Sequence, residues 1–116
     1  MRALEISTEQ VGPATAVVGL RGEVDLYTCP ELKQELLQVI TDGATLVVVD
    51  LTETTFIDST GLGVLIRGVE RARTEGGQLA VVCSDPNMTK VFEVTGLNRV
   101  FPIYPSREEA LAQVPS

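Results

Sequence analysis

The sequence has 116 residues, 44% of them apolar, with nine Lys and Arg against sixteen Asp and Glu and a net charge of -7. That length suits one domain with its own core, expected to span residues 1–116, and the acidity opposes binding to a phosphate backbone, so no nucleic-acid partner is expected. Histidine is absent, which removes the commonest general base and the commonest metal ligand.

Leu4-Glu5-Ile6-Ser7-Thr8-Glu9 alternates apolar and polar residues, the pattern of a half-exposed strand. Val11-Gly12-Pro13 breaks it, and Thr15 to Arg21 forms a second strand, so the short connection predicts an antiparallel hairpin. Gly22-Glu23-Val24-Asp25 reads as a polar turn closing that strand. Thr28 is a candidate N-cap, with Pro30 in the first turn and Glu31 three residues after the cap. The helix that follows carries Leu32, Leu36, Val39 and Ile40 on one side and stops at Asp42-Gly43.

Leu46 to Leu51 is a continuous apolar run around Asp50, as expected of a strand covered on both faces. It is far too short to span a bilayer, and the N-terminus has no basic region followed by an apolar one. A cytoplasmic protein without a membrane partner is expected. Cys29 and Cys83 then read as buried free thiols, and the glycosylation pattern at Asn87-Met88-Thr89 has no meaning.

Thr54 to Ile57 reads as the end of a strand or a buried turn, and a helix begins at Asp58-Ser59-Thr60, three residue types that favour N-caps. Leu62, Leu65, Ile66, Val69 and Ala72 share one face of it, while Arg67 with Glu70 and Arg71 with Glu75 are helix-spaced charge pairs. Gln78 to Cys83 is another buried strand. Ser84-Asp85-Pro86 opens a helix carrying Val91, Phe92 and Val94 and ending near Gly96. Val100 to Tyr104 is a short strand that Pro102 places at an edge. Ser106-Arg107-Glu108-Glu109 has the form of a capping box, opening a last helix through Ala110, Leu111 and Val114. Alternating strands and helices after the hairpin predict an α/β domain with a mixed, mainly parallel sheet and about four helices.

Most catalytic chemistry lacks its parts. Gly61-Leu62-Gly63 would need a third glycine where Ile66 stands to match the dinucleotide fingerprint, and no Walker lysine-serine pair is present. Ser59 has no histidine to activate it. Asp25, Asp50 and Asp58 could converge on a divalent cation near strand ends, but polar loop termini explain them more simply. No cofactor and no enzymatic activity are expected. What remains is a hydroxyl at a helix start. Two readings of it stand side by side: Asp58 or Ser59 simply caps a core helix, or the exposed hydroxyl is a modification and contact site. Gly61 and Gly63 would leave the backbone there open to close approach by a partner, and a phosphate would be accommodated by the helix N-terminus.

Gly22-Glu23-Val24-Asp25, Val47-Val48-Val49-Asp50-Leu51, Phe56-Ile57-Asp58-Ser59-Thr60-Gly61-Leu62-Gly63 and Phe92-Glu93-Val94-Thr95-Gly96-Leu97 together resemble the STAS domain in its bacterial anti-sigma factor antagonist form. The resemblance implies a mixed sheet with an N-terminal hairpin. It also implies partner switching: an unphosphorylated antagonist binds an anti-sigma factor that is also a serine kinase, and a sigma factor is freed. The kinase phosphorylates the antagonist, and a serine phosphatase resets it. By motif the acceptor is Ser59, preceded by the acid Asp58, and the loop contact is Asp25. Ser59, Thr60, Gly61 and Gly63 complete the implied contact surface. Thr60 stands where many members have a second serine, and Val24 where many have leucine. With no sensory or membrane segment in the sequence, a free-standing switch is expected, as a monomer or weak dimer. A transport-complex subunit or a small nucleotide- or ligand-binding module is the alternative.

Overall fold

The computed structural model describes residues 3–112. The chain forms β1 (Leu4–Gly12), β2 (Thr15–Val24), α1 (Cys29–Thr41), β3 (Leu46–Ile57), α2 (Ser59–Thr74), β4 (Gln78–Val82), α3 (Pro86–Thr95), β5 (Ile103–Tyr104) and α4 (Arg107–Leu111). A single 3-10 turn at Leu97–Arg99 joins α3 to β5. The sheet order is β1-β2-β3-β4-β5. β1 and β2 pair antiparallel, and every later pairing is parallel. The expected α/β architecture, hairpin and four helices are all present among the described residues.

Alternation along the central strands divides their side chains between two layers. Ala16, Val18, Leu20, Val47, Val49, Leu51, Leu79 and Val81 face the larger core, filled by Leu32 and Leu36 of α1, Val64, Leu65 and Val69 of α2, and Met88 and Phe92 of α3. Phe92 and Phe101 meet there edge to face, with ring centroids 5.6 Å apart. Val17, Leu46, Val48, Ala80 and Val82 face the other way, against Ala110 of α4. β3 is buried on both faces from Leu46 to Leu51 because helices lie on both sides of it, which is why its sequence runs apolar without alternation.

Several elements depart from the sequence reading. β2 does not end at Arg21; Gly22 to Val24 stay in the sheet because β3 continues alongside as far as Ile57. The pairing carries bulges between Gly19 and Arg21 and between Gly22 and Glu23. Gly22 takes φ +115° there, and a Cβ would lie 2.2 Å from the Ala3 carbonyl oxygen, so the bulge requires glycine. The buried face of α2 is Gly61, Val64, Leu65, Gly68, Val69 and Ala72, while Leu62 and Ile66 are half-buried at its margin. The expected stripe was offset because Val64 and two glycines were left out of it. Val91 and Val94 of α3 point outward, and Met88 with Phe92 supplies its buried face. Val100 and Phe101 lie outside β5, which is two residues long. Arg71 and Glu75 form an ion pair at 3.3 Å; among the described residues no such contact joins Arg67 to Glu70. Ser106 caps α4 by accepting from the Glu109 N–H at 3.2 Å. Val114 lies outside the described residues.

Candidate functional site

β2 and β3 run parallel and end together, with Val24 in register with Ile57. Their C-terminal edge therefore carries both the β2–α1 loop and the start of α2. One main-chain bond ties the two segments: the Asp58 N–H donates to the Val24 carbonyl at 3.1 Å.

Asp58 resolves the question of which residue caps α2. It sits in extended backbone at the N-cap, and its carboxylate accepts from the Gly61 N–H at 2.9 Å. Ser59 is the first helical residue and is exposed. Its hydroxyl has no hydrogen-bond partner among the described residues. Capping and exposure thus fall to neighbouring residues, and a free hydroxyl stands at the positive end of a 16-residue helix. Thr60 is half-buried. The two glycines differ. A Cβ on Gly61 would meet Val24 Cγ1 at 2.7 Å and Ile57 Cγ1 at 2.8 Å, whereas a Cβ on Gly63 would meet nothing within 4 Å. Gly61 turns inward and lets α2 seat on the strand ends, which corrects the expectation that it opens the backbone to a partner. Gly63 keeps that property.

Asp25 is half-buried at the turn out of β2. Its Oδ1 accepts from the Tyr27 N–H at 2.9 Å and the Thr28 N–H at 3.0 Å. Thr28 occupies the N-cap position of α1 without making a side-chain cap. Its hydroxyl instead donates to the Glu23 carbonyl at 2.8 Å and accepts from the Asp25 N–H at 2.9 Å. The side-chain cap expected from Thr28 is replaced by this loop brace, because folding Thr28 back onto the strand end satisfies polar groups on both sides of the turn. The Asp25-x-x-Thr28 spacing is the signal from which the brace could have been found. The braced turn leaves Leu26 and Tyr27 at its tip, 62% and 89% exposed, and sequence reasoning passed over both.

Asp50 does not join Asp25 and Asp58. It lies within β3, beside Gly19 and Val82, where Arg107 of α4 donates to its Oδ2 and Thr52 to its Oδ1. Burial alone would push the Asp50 carboxyl up, but the hydrogen bonds from Thr52 and Arg107 and the nearby guanidinium outweigh it and hold it below its ordinary value. Gly19 makes room for this arrangement, since a Cβ there would lie 2.9 Å from Arg107 Nη2. Among the described residues no group of three or more His, Cys, Asp or Glu could hold a metal ion, and no helix is long and apolar enough to cross a membrane.

The model of the STAS domain family matches residues 5–110. The anti-sigma-B factor antagonist of Bacillus subtilis is 31% identical over 86 residues, covering 74% of this chain and 78% of that relative. A solved anti-sigma factor antagonist from Mycobacterium paratuberculosis has a TM-score of 0.86 at 32% identity, covering 96% of this chain and 93% of the other. The unphosphorylated form of the anti-sigma factor antagonist SpoIIAA has a TM-score of 0.81 at 23% identity, covering 94% and 95% of the two chains, a likeness of fold. With the family motifs in order along the chain and the hairpin, sheet and Ser59 shoulder in place, the chain belongs to the STAS domain family.

Proposed function

We propose that this STAS protein is an anti-sigma factor antagonist whose binding is switched by phosphorylation of Ser59. The observation that carries the reading is the division of labour at the start of α2: Asp58 makes the cap, so the Ser59 hydroxyl is exposed and free of structural duty. A serine-kinase anti-sigma factor would bind the shoulder formed by Asp25, Asp58, Ser59, Thr60 and Gly63. It would then transfer the γ-phosphoryl group of ATP to Ser59 Oγ, with ADP leaving and the hydroxyl proton passing to a base on the kinase. The product suits the fold, since the helix dipole and the N–H groups of the first turn favour an anion. It does not suit the complex, because about -1.5 to -2 charges enter an interface formed around a neutral hydroxyl. A serine phosphatase would restore the hydroxyl.

In this reading the protein is a binding module and the chemistry belongs to its partners. The nucleotide-module alternative is disfavoured because Gly61 packs on Val24 and Ile57 and gives its N–H to the Asp58 carboxylate, so it does not act as part of a glycine-rich nucleotide loop. The likeness to SpoIIAA, solved in both unphosphorylated and phosphorylated forms, is compatible with a fold that tolerates the modification. The test is incubation of wild type, Ser59→Ala and Thr60→Ala with the serine-kinase anti-sigma factor of the same genome and ATP, followed by mass spectrometry of residues 58–63. Labelling lost in Ser59→Ala and retained in Thr60→Ala is expected; phosphate mapping to Thr60 would overturn the acceptor. Equal affinity of phosphorylated and unphosphorylated protein would overturn the switch.

A further inference from the structure

We infer that Leu26 and Tyr27 form the apolar anchor with which this protein grips its anti-sigma factor, and that Asp25 acts on that anchor as a positioning residue by holding the loop that carries it. The inference deepens the antagonist reading and rests on it. Three of the seven exposed large apolar side chains among the described residues, Leu26, Tyr27 and Phe56, lie within three residues of the paired strand ends Val24 and Ile57. Solvating a leucine and a tyrosine at one loop tip is unfavourable in the free chain, and large aromatic side chains of this kind dominate interface energetics when covered.

The loop is ordered before any partner arrives. Asp25 Oδ1 holds the N–H groups of Tyr27 and Thr28, and the Thr28 hydroxyl bridges the Glu23 carbonyl and the Asp25 N–H. The Cys29 N–H closes the turn onto the Asp25 carbonyl at 2.8 Å. A tip held in this way loses little conformational freedom on binding. Asp25 thus spends Oδ1 on the loop that presents the tip. The tip is continuous with the Ser59 shoulder through the bond from Asp58 to Val24, so one partner can cover both.

The surroundings select the occupant. Glu23 and Asp25 precede the tip in the chain, Asp58 is bonded to the strand end that leads into it, and the whole chain carries -7. A second copy would bring the same acidic rim against itself. An anti-sigma factor surface with an apolar pocket rimmed by Lys or Arg is complementary, and phosphate on Ser59 would place added charge beside the anchor.

The experiment measures the affinity of the anti-sigma factor of the same genome for wild type, Leu26→Ala, Tyr27→Ala, Asp25→Ala, Asp25→Asn and Val94→Ala, with a thermal melt of each. Leu26→Ala and Tyr27→Ala should weaken binding by about ten-fold or more with melting unchanged. Asp25→Ala should weaken it as well. Asp25→Asn should bind like wild type, since its amide oxygen can still accept from both N–H groups. Val94→Ala, which truncates a side chain 77% exposed on α3, should also bind like wild type. Unchanged affinity of both tip variants overturns the anchor. Equal losses in Asp25→Asn and Asp25→Ala overturn the positioning role, because the charge itself would then be the contact. Self-association of wild type that Tyr27→Ala abolishes, with anti-sigma binding intact, would assign the tip to a second copy and overturn the inference. A wild-type protein that does not bind the anti-sigma factor rejects the antagonist reading and the inference with it; wild-type binding with unaffected tip variants rejects the inference alone.

Discussion

Asp58 and Asp50 lie on the same stretch of chain, yet they occupy opposite kinds of site. Asp58 stands at the sheet's C-terminal edge, half-buried, with its carboxylate on a main-chain N–H. Asp50 stands in the middle of β3 with its side chain 8% exposed and shares its charge with Arg107. The first carboxylate stabilises a helix start and leaves the adjacent hydroxyl free. The second ties α4 across the sheet and leaves nothing free. The contrast teaches that an acidic residue satisfied by backbone can leave its neighbour exposed at the surface. Where a buried acid is satisfied by a cation, it holds the fold together.

The comparison can be broken first at its structural end. Val48 is fully buried in the layer beneath α4. Val48→Asp should place a second carboxylate near Asp50 with no cation for it, at a cost of several kcal/mol, comparable with the stability of a small domain. The variant should be unfolded by circular dichroism; a wild-type melt would show that β3 is not the central strand of the core.

Arg107→Ala comes next. It leaves the Asp50 carboxylate buried with Thr52 as a remaining partner, and should cost about 1–3 kcal/mol in chemical denaturation. The pH dependence has a definite sign. Because the folded state holds the Asp50 carboxyl below its ordinary value, its contribution is fully present above about pH 4, the usual carboxylate range, and is lost as pH falls through the lowered value. The difference between wild type and Arg107→Ala should therefore be largest near neutrality and shrink in acid. A gap that widens in acid would contradict the assignment.

The cap and the hydroxyl can be separated by a smaller effect. Asp58→Ala removes the bond to the Gly61 N–H and should cost about 1 kcal/mol. Ser59→Ala removes no bond and should fall within about 0.5 kcal/mol of wild type. Parallel urea titrations decide this, and a Ser59→Ala loss equal to that of Asp58→Ala would mean that the hydroxyl is structural after all. The smallest stability effect is expected from Ser59→Asp. A carboxylate in the first turn of α2 meets a favourable dipole, so melting should be nearly unchanged while anti-sigma binding weakens. Unfolding of this variant would show that the shoulder cannot accept an anion.

Legibility differed between elements for physical reasons. The hairpin, the central strands and the four helices were readable because apolar periodicity and turn residues are local. The helix start at Asp58-Ser59-Thr60 was readable for the same reason, though the capper among the three was not. That choice depended on Asp58 being held in extended backbone by its N–H bond to Val24, 34 residues earlier. Val94 looked like a core residue and is exposed, since the sheet meets α3 through Met88 and Phe92.

By itself the sequence determined what short-range chemistry can determine. Alternation and 3.6-residue periodicity set the order and type of the elements, and the motif around Ser59 marked the shoulder. Tertiary structure decided the rest. The parallel pairing of β2 with β3 extended both strands and brought Asp25 and Asp58 to one edge. The packing of α2 on that edge turned Gly61 inward and left Ser59 out. The docking of α4 gave Asp50 to Arg107, 57 residues away. Each of these outcomes depends on which backbone groups and side chains meet across long stretches of chain, and no local pattern carries that information.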